Sequence, residues 1–192
     1  MNYTIFLVQE TAMDIYLLSG YAGSGKSHVS KLLEGLYANV RRTSFAKRVK
    51  DDVARIYSIP RDICDTQEGK KLFVMTATGD KQVRELLIEY ATKMKQTTDN
   101  PAIWADYVVT EILANPEVTT WILDDWRFKK EYERIRSAIP SARIHRFRIY
   151  NSSVKPLEDP SEHDLDDEPM DFEILNTGTS EELISVLQMY NS

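Results

Sequence analysis

One cysteine, three histidines and seven glycines are all that 192 residues hold of the types that build disulfides, metal sites and flexible backbone. A single thiol, Cys64, excludes an internal disulfide and is too little for a cysteine-based zinc site, so a reducing compartment is expected and Cys64 reads as a small core residue. His163 has no Cys or His nearby and reads as a solvated loop residue, neither metal ligand nor base. Positive charge is also scarce: 24 Lys and Arg stand against 30 Asp and Glu, a net charge of −6 with a pI near 5.2. A nucleic-acid polymer, whose backbone calls for a basic surface, is therefore not an expected partner. No stretch approaches the ~20 apolar residues of a membrane span, and the early run Ile5 to Val8 is too short for a signal-peptide core. No membrane partner is expected, and the localisation expected is cytoplasmic.

Three of the seven glycines are gathered in one place. Gly20-Tyr21-Ala22-Gly23-Ser24-Gly25-Lys26-Ser27 completes the pattern G-x-x-x-x-G-K-S immediately after the apolar run Ile15 to Leu18. Strand, glycine-rich loop and helix in that order make a phosphate-binding P-loop. The glycines let backbone amides approach an anion, and the helix N-terminus adds partial positive charge. Gly20, Ala22, Gly23, Ser24 and Gly25 are thus expected to cradle ATP, Lys26 to reach the β/γ-phosphates and Ser27 to hold Mg²⁺. Val29, Leu32, Leu33, Leu36 and Tyr37 keep the spacing of a buried helix face downstream, which supports the assignment.

The rest of the chain alternates strand and helix. Strands are expected at Val40 to Phe45, Val118 to Asp124, Arg143 to Tyr150 and Phe172 to Asn176. Helices are expected from Ala46 to Tyr57, through Val83 to Met94 with Asp80 as a cap, from Asn100-Pro101 to about Ala114, and through Phe128 to Ile139. A capping box, Thr179-x-x-Glu182, opens a last helix. Arg61 to Thr78 reads as polar and turn-rich. The fold class expected is α/β: a three-layer P-loop kinase fold whose roughly five-stranded parallel sheet is covered by helices on both faces. One domain spans 1–192, with 1–13 as an N-terminal extension and 150–171 as an acidic, lid-like loop. Tyr3 to Gln9 could add an edge strand, and Met13 leaves an alternative start open. Glu158 to Glu173 holds nine acids and no Lys or Arg, so most of it is expected to face solvent.

Two further segments carry chemistry. Trp121-Ile122-Leu123-Asp124-Asp125 is an apolar strand ending in two acids, similar to the segment that organises Mg²⁺ in P-loop enzymes, and strand carboxyl ends are where open α/β sheets bind ligands. Arg127 follows two residues later. Arg41 to Lys50 holds five basic residues inside an acidic protein. Most should be ordinary surface, with at least one of them, Lys47 and Lys50 foremost, holding the phosphate of an acceptor. Arg84, one turn into its helix, could add a bidentate contact.

Together these segments resemble the viral and phage deoxynucleoside monophosphate kinases, within the P-loop nucleoside monophosphate kinase superfamily. The resemblance runs from Asp14 onward and rests on an ordered set of pieces. They are the P-loop, Ser44-Phe45-Ala46-x-x-Val49-Lys50, Val83-Arg84-x-Leu86-Leu87, Trp104, Asp124-Asp125-x-Arg127-Phe128-x-x-Glu131, and the tail Ser161-Glu162 with Asn176-x-Gly178-x-x-Glu181-Glu182-Leu183. It implies ATP and Mg²⁺ as cofactors and deoxynucleoside monophosphates as partners, with a homodimer left open and the host cytoplasm as the site of a viral enzyme. Lys50, Arg84 and Trp104 are then acceptor contacts, Asp125 and Arg127 the acidic and basic groups at the reaction centre, Asp125 also a metal ligand, and Arg148 an ATP-side contact. Trp126 is bulkier than the family's usual residue, and Ile88-Glu89 stands where an amide often reads the base, so base preference stays open. Phosphomevalonate or dephospho-coenzyme A type kinases are the alternative. A GTP switch would carry D-x-x-G and N-K-x-D, both absent from the chain.

Overall fold

Tyr16 and Leu18 face one way along the first strand and Ile15 and Leu17 the other, and all four are buried, so this strand must be covered on both sides. The computed structural model describes residues 13–155, 163–176 and 179–190. In it β1 (Asp14–Ser19) lies at the centre of a five-stranded parallel sheet, beside β5 (Thr120–Leu123) and β6 (Arg143–Tyr150). β2 (Val40–Thr43) and β7 (Phe172–Leu175) form the edges, giving the order β2-β5-β1-β6-β7. Tyr16 and Leu18 pack with Val29 and Leu33 of α1 (Lys26–Glu34) and with Leu183 and Leu187 of α6 (Ser180–Tyr190). Ile15 and Leu17 join a second core built from α2 (Ala46–Tyr57), α3 (Val83–Thr97), α4 (Ile103–Leu113) and α5 (Lys129–Ala138). This is the expected three-layer α/β fold, a five-stranded parallel sheet covered by helices on both faces.

Several local expectations differ from what is observed. Residues 73–82 form an antiparallel hairpin, β3 (Phe73–Thr76) and β4 (Gly79–Gln82), which begins within the stretch read as turns and continues past it. Asp80 lies in β4 and does not cap α3. Gln82 precedes the helix, and its backbone N–H donates to Glu85 at 2.7 Å. Asn100 does not start α4 either. Its Oδ1 accepts from the Ala102 amide at 3.0 Å, completing a turn before the helix begins at Ile103. The capping box of α6 is as expected, with Thr179 N–H donating to Glu182 at 2.7 Å and Glu182 N–H to Thr179 Oγ1 at 3.3 Å.

Most of residues 163–171 face solvent, as expected, but the segment is also docked: Leu165 is buried in the core, and the acids meet a basic strip on β6 and α5. Arg146 pairs with Asp171 (2.9 Å) and Glu168 (3.4 Å), Arg148 with Asp166 (2.5 Å), and Lys129 with Asp167 (2.6 Å). Arg146 and Arg148 are two residues apart on a strand and so share a face, which turns an acid-only sequence into a docked strap. The Tyr3–Gln9 strand, Ser161-Glu162 and Gly178 lie outside the described residues. Among the described residues no helix is long and apolar enough to cross a membrane.

Candidate active site at the carboxyl ends of the strands

The P-loop leaves β1 at Gly20 and enters α1 at Lys26. Gly20, Gly23 and Gly25 all have positive φ (139°, 85° and 96°), a conformation that L side chains avoid. Two of them also have no room for a side chain. A Cβ at Gly20 would stand 2.3 Å from the Ile149 carbonyl oxygen, and one at Gly25 would stand 1.9 Å from Asn176 Nδ2. Asn176, just beyond β7, donates that amide to the Ser24 carbonyl at 2.9 Å and braces the loop from the far edge of the sheet. Lys26 Nζ folds over the loop, donating to the carbonyls of Gly20 (2.5 Å) and Tyr21 (2.9 Å). Ser24 Oγ is buried without a hydrogen-bond partner among the described residues, and Ser27 is exposed in the first turn of α1. A concave loop, an orphaned hydroxyl, a lysine and a helix N-terminus fit a polyphosphate. No cluster of three acidic, His or Cys ligands exists among the described residues. Mg²⁺ would therefore rely on Ser27, a carboxylate and phosphate oxygens, the arrangement this ion favours.

Asp125 presents a carboxylate held in a fixed position. Its Oδ1 accepts the Phe45 amide (2.8 Å) and its Oδ2 the Ala46 amide (2.9 Å), which ties the end of β5 to the N-terminus of α2. Each oxygen keeps a further lone pair for a cation. Burial, with Asp124 alongside, pushes the Asp125 carboxyl above the usual range against the pull of those two amides. Asp124 faces away and pairs with Arg42 at 3.3 Å. Trp126 is buried, donates its indole N–H to the Phe128 carbonyl at 2.9 Å, and so acts as a wedge that fixes Asp125 and Arg127 on either side. Glu131 is likewise buried. Its Oε2 accepts the amides of Arg127 and Phe128, both at 3.1 Å, while burial pushes its pKa up to about 8.

From Ala22 of the P-loop a cavity of about 500 Å³ extends between α2, α3, α4 and the β5–α5 connection. That volume lies within the ~300–1,000 Å³ of small-molecule sites. Asp125, Arg127, Lys50, Arg84 and Trp104 all line it, so five expected site residues from four separate segments meet in one space. Phe45, Val49, Leu87 and Ile88 add an apolar wall. Arg84 donates to Gln67 at 2.9 Å, and Lys50 to Asp65 at 2.9 Å.

Two expected residues stand elsewhere. Lys47, one turn before Lys50 on α2, is absent from the lining because its ammonium is tied to Glu111 of α4 at 2.5 Å. Arg148 is buried under the strap, donating to the Leu165 carbonyl at 2.9 Å and packing over the Tyr21 ring at 5.2 Å. It meets the P-loop through Tyr21. Glu89 turns to Lys81 at 2.6 Å, leaving Ile88 to line the cavity.

Sequence reasoning missed Gln67, Lys70 and Lys95, and gave Glu131 no role. A signal existed for Lys95: Arg84, Leu87, Ile88, Ala91 and Lys95 share one helical stripe, and all five line the cavity along α3. For Lys70, which lies in an irregular segment, no periodic signal existed.

No protein-family model and no curated protein matches the chain. Solved structures do. The tunicamycin resistance protein of Deinococcus radiodurans is similar with a TM-score of 0.51 at 10% identity, covering 94% of this chain and 96% of that one. TT1252 from Thermus thermophilus has a TM-score of 0.51 at 14% identity, over 94% of this chain and 97% of that one. At such identities the likeness is one of fold, and it agrees with the three-layer architecture above.

Proposed function

We propose that the protein transfers the γ-phosphoryl group of ATP to the 5′-phosphate of a deoxynucleoside monophosphate. One observation carries this reading: a single cavity joins the P-loop at Ala22 to the cations Arg127, Lys50 and Arg84 and to the aromatic pair Phe45 and Trp104. A ligand matching that wall has a phosphate at one end and a flat apolar group at the other. Bound Mg²⁺·ATP would supply the phosphoryl group and neutralise its charge. The chain's own residues do the positioning: Lys26 and the loop hold the donor phosphates, Ser27 and Asp125 would hold the cation, and Lys50 and Arg84 orient the acceptor phosphate. Arg127 stands between the two phosphate groups, where charge spreads over the equatorial oxygens of a loose transition state. The acceptor phosphate is already ionised at neutral pH, so no general base is required.

The strap holds no arginine, and Arg148 is committed to Asp166 and Leu165, so transition-state charge is met from Lys26 and Arg127. The test is Mg²⁺-dependent diphosphate formation from ATP across dAMP, dGMP, dCMP, dTMP and the ribonucleotides, with Lys26→Ala as the blank. Diphosphate from at least one deoxynucleotide, lost in the variant, is the expected result. ATP binding without phosphorylation of any nucleotide would overturn the acceptor assignment.

A further inference from the structure

Lys70 is the one lysine of the acceptor cavity for whose side chain no hydrogen bond, ion pair or ring contact is found among the described residues. It is partly buried, and the groups that act on it are mostly of its own sign: Lys50 on α2, Arg84 on α3 and Arg127 beyond β5. Burial first, and then those cations, hold its ammonium below the ordinary lysine range. Asp65, the neighbouring acid, is already bonded to Lys50 at 2.9 Å and to Arg61 at 2.7 Å.

This placement is built into the backbone. Lys70 sits in a short 3₁₀ turn (Gly69–Lys71) pressed against an earlier one (Arg61–Cys64), which is anchored by the fully buried Cys64. The Gly69 amide donates to Thr66 Oγ1 at 2.9 Å and the Lys70 amide to the Thr66 carbonyl at 3.1 Å. A Cβ at Gly69 would meet the Ile63 carbonyl oxygen at 2.3 Å. Only glycine lets the two turns pack so closely, and that contact carries Lys70 into the cavity. A partly buried cation facing three others costs stability unless an anion joins them.

Building on the kinase reading above, we propose that Lys70 is the charge-selecting residue of the acceptor site. With Lys50, Arg84 and Arg127 it retains a phosphate monoester as the dianion and disfavours the same nucleotide bearing one charge fewer. The proposal separates two roles by sign. A lysine that supports the fold lowers stability when removed. Lys70, which the free protein holds against repulsion, should leave stability unchanged or raised when replaced by methionine, while acceptor binding falls.

The experiment uses the full chain and two readouts. Thermal midpoints are compared for wild type and Lys70→Met without ligand. Tryptophan fluorescence, to which Trp104 in the cavity wall contributes, is then titrated with the tightest-binding deoxynucleotide, with the methyl ester of its phosphate, and with ATP. Lys70→Met should bind the dianion about 10-fold more weakly. It should also shrink the preference for dianion over methyl ester at least about 3-fold, bind ATP as wild type does, and melt no lower. Lys70→Arg should restore most of the affinity. Gly69→Ala, which displaces the turn and keeps the lysine, should weaken the dianion in the same direction. Dianion binding unchanged in Lys70→Met, or a lower midpoint with an unchanged dianion preference, overturns the role of Lys70 and leaves the kinase reading intact. A nucleotide that binds with this charge preference but is never phosphorylated overturns the kinase reading alone. If no nucleotide binds at all, both fall.

Discussion

The P-loop and the acceptor cavity adjoin at Ala22, yet they are built in opposite ways. The loop is eight consecutive residues whose geometry is set by backbone conformation. The cavity is assembled from α2, the 3₁₀ turn Gly69–Lys71 with Gln67 before it, α3, α4 and the stretch after β5, and its chemistry rests on side chains that are tens of residues apart. A contiguous backbone site tolerates little change and fails as a whole. A dispersed side-chain site loses one contact at a time, and each loss shows in one substrate only.

The sharpest test of that contrast is Gly20→Ala. The substitution forces a Cβ onto a residue with φ of 139° and to within 2.3 Å of the Ile149 carbonyl oxygen. Backbone strain alone costs on the order of 1–3 kcal/mol. ATP binding measured by titration should be lost, together with several degrees of thermal stability. Retention of wild-type ATP affinity would break the claim that the loop works as one unit.

Arg84→Ala is the matching change on the other side. Loss of one charged hydrogen-bond donor facing the acceptor should raise the acceptor KM about 10- to 100-fold, the range for a charged hydrogen bond. The ATP KM should stay within about twofold, because Arg84 lies on α3 away from the loop. Equal effects on both substrates would erase the distinction between the two regions.

Legibility in the sequence follows the same division. β1, the P-loop, β6 and the capping box of α6 were readable because their signals are local: an apolar run, a fixed glycine spacing, alternation, and Thr179 three residues before Glu182. The β3–β4 hairpin was not. Phe73 and Met75 are exposed and Gly79 makes its turn at φ of 110°, so no buried face imposes alternation on it. Asp125 and Arg127 were read from the end of a strand, Lys50 from a basic run and Arg84 from a helix turn, and Trp104 through a resemblance alone, but nothing local says that they converge. The exposure of the acidic strap was readable, but its pairing was not, because its partners Arg146 and Arg148 lie on β6, at least 18 residues away along the chain. Acids that face solvent are also neutralised by partners that no local pattern reveals.

Glu131 sharpens the comparison through pH. Its carboxyl has an ordinary pKa of 4.5 when unfolded and about 8 when buried beside Asp125. Between those values the folded state holds a proton that the unfolded state releases. Its stabilising contribution is therefore full below 4.5 and is lost as pH rises through about 8. Glu131→Gln keeps an oxygen to accept the Arg127 and Phe128 amides and removes the titration. Thermal midpoints from pH 5 to 8 should therefore decline less in the variant than in wild type. Parallel curves would mean that Glu131 is ionised across the range.

The smallest effect belongs to the residue that sequence placed in the site and geometry places outside it. Lys47 is half-exposed and pairs with Glu111 at 2.5 Å, one turn before Lys50 on α2. An exposed ion pair of this kind contributes about 0–1 kcal/mol. Lys47→Ala should thus leave both KM values and kcat within about twofold and move the thermal midpoint by no more than a degree or two. Because Lys50→Ala three residues on should raise the acceptor KM severalfold, the pair tests whether a place in the cavity wall or membership of the basic run determines binding. A tenfold rise in acceptor KM for Lys47→Ala would show that Lys47 leaves Glu111 for the acceptor phosphate, extending the cation cluster around α2 beyond the cavity wall.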